Sequence, residues 1–318
     1  MAEEFLRYEK AFEEALATDN PILKDVLSLV LARRGKQLRP MLVLLCAKLA
    51  GQVNDKTIRT AVALELLHTA SLIHDDVVDD SDTRRGLPSV KAQWTNNVAV
   101  LVGDYLLSKV IEIIASLRNV RILSIVSDMG KALSDGELLQ LSANGLTDNG
   151  VLRTTEKDYF RIIACKTARL FSACCEAGAV TAGATMKQET ALTAFGEQLG
   201  ICFQMQDDIL DYSDSEELGK PTMGDIRDGK ATLPLIISLN LAPRPEADHI
   251  RLLAQGPLSF DDEQEIRSFV LRYDGIRYAR RCMEEHRSIA LSALSAFREN
   301  ELTRSLSMLL DYAISRIS

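Results

Sequence analysis

Apolar residues recur along this chain at intervals of three and four over most of its length, and no sustained two-residue alternation interrupts them. The periodicity predicts helices over residues 2–17, 21–34, 38–50, 55–80, 89–116, 119–144, 154–182, 186–214, 232–241, 260–272, 275–298 and 301–317. The eight prolines (21, 40, 88, 221, 234, 243, 245 and 257) fall where a boundary is expected, and none lies between Pro88 and Pro221, a stretch suited to long helices. Asn20 before Pro21 reads as an N-cap followed by an N1 proline, and Ser259 with Asp262 reads as another helix start. Residues 214–230 (DSEELGKPTMGDIRDGK) break the pattern: polar, with three glycines and three basic residues. Such a segment is either a surface connection or a lid over phosphate. No linker, repeat or low-complexity tract divides the chain, so one all-α domain spanning residues 1–318 is expected.

Composition narrows the function classes. The chain has 318 residues, 47% of them hydrophobic, enough for a large core. A net charge of −8 argues against a nucleic-acid binder. Six cysteines without a C-x-x-C pair read as free thiols, and with no signal-peptide pattern the expected setting is cytoplasmic. Four scattered histidines argue against zinc. The longest apolar runs, 41–47 and 231–237, are far shorter than a membrane span, although loose membrane attachment remains open.

Two copies of one acidic pattern carry the chemistry: DDVVD at 75–79 and DDILD at 207–211. Each sets Asp at the first, second and fifth positions, on one side of a helix stepping ~100° per residue. Crowded carboxylates repel one another. Two such triplets in apolar sequence therefore point to a shared cation site, with Asp75, Asp76, Asp79, Asp207, Asp208 and Asp211 as hard oxygen ligands suited to Mg²⁺. Arg84 and Arg85 follow the first triplet, and acids, metal and guanidinium together suggest a diphosphate; a salt-bridged helix terminus is the plainer alternative. Lys36 and Arg39 at a predicted helix start form a second anion site. His68 lies two turns before Asp75 on nearly the same face, as ligand contact or hydrogen-bonded core histidine. Lys166, Thr167 and Gln204, taken singly, also read as satisfied interior polar groups.

With these residues assembled, the strings GKQLRP, LLHTASLIHDDVVDDSDTRRG, GDYLL, CKTARL, FQMQDDILDY and GKPTMGDIRDGKATLP resemble a trans-type polyprenyl diphosphate synthase over roughly residues 30–240. The resemblance implies an isoprenoid-synthase bundle of long antiparallel helices around a deep cavity, a homodimer, and Mg²⁺ dependence. It assigns Asp75, Asp79, Asp207, Asp208 and Asp211 to Mg²⁺, with Asp225 joining through water. Lys36, Arg39, His68 and Arg85 match positions that bind isopentenyl diphosphate. Arg84, Lys166, Thr167, Gln204, Lys220 and Lys230 match positions around the allylic diphosphate. Asp75, Asp79, Arg84, Lys166, Asp207 and Lys220 are thereby expected to carry the catalysis.

The reaction implied is ionisation of an allylic diphosphate and capture of the carbocation by isopentenyl diphosphate. Ala70 and Ser71 lie one turn below Asp75, about 6 Å down the axis, with Leu67, Leu66 and Ala63 beneath. Small residues at that first level leave room for a long product, of octaprenyl size. A terpene cyclase would lack the second Asp pattern and the second diphosphate site. A non-catalytic subunit of a heteromeric synthase would be expected to lose one of the Asp motifs.

Overall fold

A computed structural model of the chain describes residues 1–32, 35–84, 86–143, 154–213, 222–254 and 257–316. The described residues are almost entirely helical. In order they form α1 (Ala2–Ala15), α2 (Pro21–Ala32), α3 (Leu38–Ala50), α4 (Asp55–Val78), α5 (Val90–Gln93), α6 (Asn96–Ser116), α7 (Val120–Ala143), α8 (Glu156–Ile163), a π-helical turn (Ala164–Ala168), α9 (Arg169–Thr181), α10 (Met186–Leu210), α11 (Gly224–Arg227), α12 (Leu233–Leu241), α13 (Arg244–Leu253), α14 (Phe260–Arg272), α15 (Gly275–Leu294) and α16 (Glu301–Ser315). A two-residue hairpin pairs Thr83–Arg84 with Leu87–Pro88.

Several starts follow from the residues there. Asn20 accepts from the Leu23 amide ahead of Pro21. Asn54, Thr155, Ser259 and Asn300 each close a reciprocal capping box. Beside the hairpin and the short α11, neither expected from the periodicity, the structure departs from it in three longer segments. The helix expected over 89–116 is broken at Trp94, because Ser89 and Thr95 each cap a separate helix. The helix expected over 154–182 begins at Glu156 and loosens into the π turn. Arg244–Leu253 is an additional helix: Pro245 occupies a first-turn position, where its missing N–H costs nothing.

The contacts gather the described chain into two compact units, residues 1–130 with 173–193, and residues 131–172 with 194–318. In the first, α4 is the central helix. Leu64, Leu66, Leu67, Ala70 and Ile73 are buried along it, and α1, α3 and α6 pack against it. The α6 contact is close, since a Cβ at Gly103 would fall inside the His74 ring. In the second unit α12 is buried from Leu233 to Leu239, among α8, α13, α14 and α15. Cys46, Cys174, Cys175 and Cys202 are buried free thiols, and Cys165 and Cys282 are half-buried ones. No helix among the described residues is long and apolar enough to cross a membrane.

Candidate active site

The first acidic triplet occupies the C-terminal end of α4. Asp79 is the C-cap and its amide donates to the Asp75 carbonyl at 2.8 Å. Asp80 then adopts a left-handed φ of 49°, turning the chain out of the helix, and the hairpin reverses it. Gly86, at φ 74°, supplies the turn residue that an L side chain rarely allows. The reversal brings Arg84 back to the helix, where its Nε donates to Asp76 Oδ1 at 2.6 Å. Asp76 is 2% exposed. Burial raises its pKa and the Arg84 guanidinium opposes the rise. Lys91 ion-pairs with Asp80 and, at 3.3 Å, with Asp82, which fixes the strand of chain beyond the triplet.

A cavity of about 90 Å³ adjoins this end of α4. His68, Asp76 and Arg84 line it together with Gly35, Gln37 and the apolar side chains of Phe12, Leu29 and Leu72. Lys36 is exposed and Arg39 half-buried in the first turn of α3, and neither lines the cavity. Ala70 is fully buried and Leu67 is 6% exposed. Ser71 is half-buried and donates to the His68 carbonyl at 2.9 Å. Arg85 and Lys220, with the rest of residues 214–221 of the expected lid, lie outside the described residues.

The second triplet ends α10 and every member has a protein partner. Asp207 Oδ1 lies 2.9 Å from Arg316 Nη2. Asp208, 2% exposed, accepts from the Tyr159 hydroxyl at 2.6 Å on Oδ2 and from Gln204 Nε2 at 2.9 Å on Oδ1. Thr167 in turn donates to Gln204 Oε1 at 2.8 Å. Asp211 accepts the amides of Gly224 at 2.9 Å and Asp225 at 3.0 Å, the open N-terminal groups of α11. That cap carries Asp225 to the triplet, and the Lys230 amide bonds back to the Asp225 carbonyl at 2.7 Å.

The result is a cavity of about 180 Å³ lined by Lys166, Thr167, Gln204, Asp208, Asp225 and Lys230, with Tyr159, Gln140, Ile162 and Ile163. Six residues singled out from sequence thus converge on one hollow. Lys166 Nζ is held by Glu137 at 2.5 Å. Close backbone approach makes this possible. A Cβ at Gly136 would stand 2.7 Å from Lys166 Cγ, and one at Gly200 would stand 2.6 Å from Ala168 Cα. Lys166 and Thr167 both sit in the π turn, a form concentrated at functional sites. Tyr159, Glu137 and Arg316 were not evident in the sequence. Only Tyr159 left a signal there, seven residues before Lys166 and so nearly on its face.

The electrostatics call for positive charge. Burial pushes Asp208 up to about 7 and raises Asp211. Burial, then the neighbouring Asp208 and Asp211, raises Asp225 well above the carboxylate range. Among the described residues no three His, Cys, Asp or Glu side chains are gathered tightly enough to hold an ion, because the carboxylates named above are held by protein donors. The donors are nonetheless all hard oxygens, and they fit a divalent cation of the Mg²⁺ or Ca²⁺ type once those side chains re-aim.

Comparison with known proteins agrees with this chemistry. The polyprenyl synthetase family matches residues 20–270. The octaprenyl diphosphate synthase of Haemophilus influenzae is 34% identical over 95% of this chain and 90% of its own. The heptaprenyl diphosphate synthase component 2 of Geobacillus stearothermophilus is 35% identical over 95% of this chain and 92% of its own. A decaprenyl diphosphate synthase structure from Rhodobacter capsulatus superposes with a TM-score of 0.91 at 34% identity, covering 100% of this chain and 97% of that one. A Caulobacter crescentus polyprenyl synthase, complexed with calcium and isoprenyl diphosphate, gives 0.92 at 33%, covering 100% and 96%. The chain belongs to the polyprenyl synthetase family and is a polyprenyl diphosphate synthase, a prenyltransferase with the isoprenoid synthase fold.

Proposed function

We propose that the protein condenses isopentenyl diphosphate head to tail with an allylic diphosphate primer, extending it to an all-trans product of octaprenyl length. The observation that carries this reading is the second cavity, where Lys166, Lys230, Thr167 and Gln204 meet Asp208 and Asp225. Cations beside buried acids suit an anion that arrives with its own metal. Asp75, Asp76, Asp79, Asp207, Asp208 and Asp211 would hold Mg²⁺, which when bound supplies charge neutralisation and Lewis acidity to the departing diphosphate.

The chain's own residues supply the rest. Lys166, Lys220, Lys230 and Arg84 bind the allylic diphosphate and stabilise charge as it leaves. Lys36, Arg39, His68 and Arg85 hold isopentenyl diphosphate with its double bond toward the cationic carbon. Ile162 and Ile163 give the cavity an apolar wall that limits water at the cation. Released diphosphate is the base that takes the final proton, as the family resemblance implies. Octaprenyl length is supported by the small Ala70 and Ser71 below Asp75, and by the Haemophilus influenzae relative.

The protein acts as a cytoplasmic homodimer. Val100, Leu101 and Ile111 on α6 are 40%, 66% and 68% exposed, an apolar stripe suited to a second copy. A second reading makes the chain one part of a two-part synthase, favoured by the Geobacillus stearothermophilus relative's being a component 2. One assay separates them: purified protein with labelled isopentenyl diphosphate, an allylic primer and Mg²⁺. A product ladder ending near C40 is expected. No turnover by the protein alone would refute the self-sufficient enzyme.

A further inference from the structure

Arg316 stands just beyond α16 and reaches α10 at the second acidic triplet. Its side chain is only 9% exposed, against 38% for its partner Asp207. Four contacts other than the Asp207 pair fix it. Nη2 donates to the Phe203 carbonyl at 2.8 Å, and Nε to the Ala313 carbonyl at 3.3 Å. The guanidinium carbon lies 3.7 Å from the centre of the Phe203 ring. Its backbone carbonyl accepts from Gln206 Nε2 at 2.9 Å. The charge is therefore anchored by backbone and ring, and it stays in place whatever Asp207 does.

We propose that Arg316 is a positioning residue for the second triplet: it neutralises Asp207 ahead of substrate, so that divalent-cation loading there waits for a bound diphosphate. This rests on the reading of Asp207 as a cation ligand. A fixed positive charge beside a ligand oxygen lowers that oxygen's affinity for a second cation. An arriving diphosphate adds negative charge and restores it. The predicted sign separates this role from a structural one. Losing a purely structural arginine would loosen α10 and weaken cation binding, whereas losing this one tightens it.

The test is Mn²⁺ binding by electron paramagnetic resonance, on full-length protein carrying Asp75→Asn and Asp79→Asn to silence the first triplet. Titrations are run with and without inorganic pyrophosphate. Without pyrophosphate, Arg316→Met is expected to bind Mn²⁺ roughly five- to tenfold tighter than its parent. Pyrophosphate should then add less affinity than it adds to the parent. Arg316→Lys, which keeps the charge, should stay with the parent. If circular dichroism shows Arg316→Met unfolded, Arg316→Gln keeps a donor for the Phe203 carbonyl and should show the same tightening. Equal or weaker Mn²⁺ affinity in the folded charge-free variant overturns the proposal. Failure of the functional reading would appear elsewhere, as absent prenyl products from the unsubstituted protein.

Discussion

At Asp208 a buried carboxyl is caught between two donors, Tyr159 and Gln204, with no cation in direct contact among the described residues. Burial holds its folded pKa up to about 7, above the ordinary 3.8 of the side chain, so folding takes up a proton between the two. The stability this contributes is complete below the unfolded value and lost as pH rises through the folded one. Metal-free protein should therefore lose thermal stability between about pH 4 and pH 7. Asp208→Asn should flatten that slope in a melting series, and an unchanged slope would place the titration elsewhere. Ser71 makes a second residue-scale case. Its side chain is small at the level one turn below Asp75, so Ser71→Phe should shorten the chromatographic product ladder by several isoprene units. An unaltered ladder would remove Ser71 from the path of the growing chain. Much of this scale was legible. Asp208 was named from spacing, and Lys166, Thr167, Gln204, Asp225 and Lys230 through the family resemblance, and they share a cavity. Arg316 was not, because only tertiary packing brings it to a residue 109 positions earlier in the chain.

Among the elements, the π turn has the most direct bearing on the site. It carries Lys166 and Thr167, which share a hollow with Tyr159, while Gly136 and Gly200 press against the turn. Deleting Cys165 should restore a continuous α-helix and re-aim Lys166 and Thr167, which lie within the turn, while the flanking helical faces stay in register. Far-UV circular dichroism should be retained while turnover falls on the order of 10²-fold. Retained activity would mean that the bulge has no part in alignment. Helical periodicity shows where a helix lies but not how tightly it winds, so this feature was invisible in sequence. The break at Trp94 was different: Ser89 and Thr95 are recognisable caps that the apolar pattern on either side overrode. Helix α3 agreed from end to end, since Gln37 at φ 50° and Gly51 bracket an uninterrupted apolar run.

On the scale of the whole molecule, Leu101 and Ile111 on α6 leave large apolar side chains open to water. Replacing both with Glu should shift the sedimentation coefficient from a dimer toward a monomer at micromolar concentration. A dimer that persists would place the interface on another surface. Helical class and the position of both acidic triplets could be read from sequence. The division into two compact units could not, because α7, α9 and α10 run through it without a linker.

The tie between Asp211 and α11 has one more consequence. Each oxygen of that carboxylate already receives an amide, from Gly224 and from Asp225. An ion that binds both oxygens draws on the same electron density as those two donors, so occupancy weakens the fastening of this short helix. Deuterium uptake at Gly224 and Asp225 should then quicken when Mg²⁺ and pyrophosphate are added, although binding usually slows exchange. The clasp on Gly224 and Asp225 would loosen at the moment the site fills.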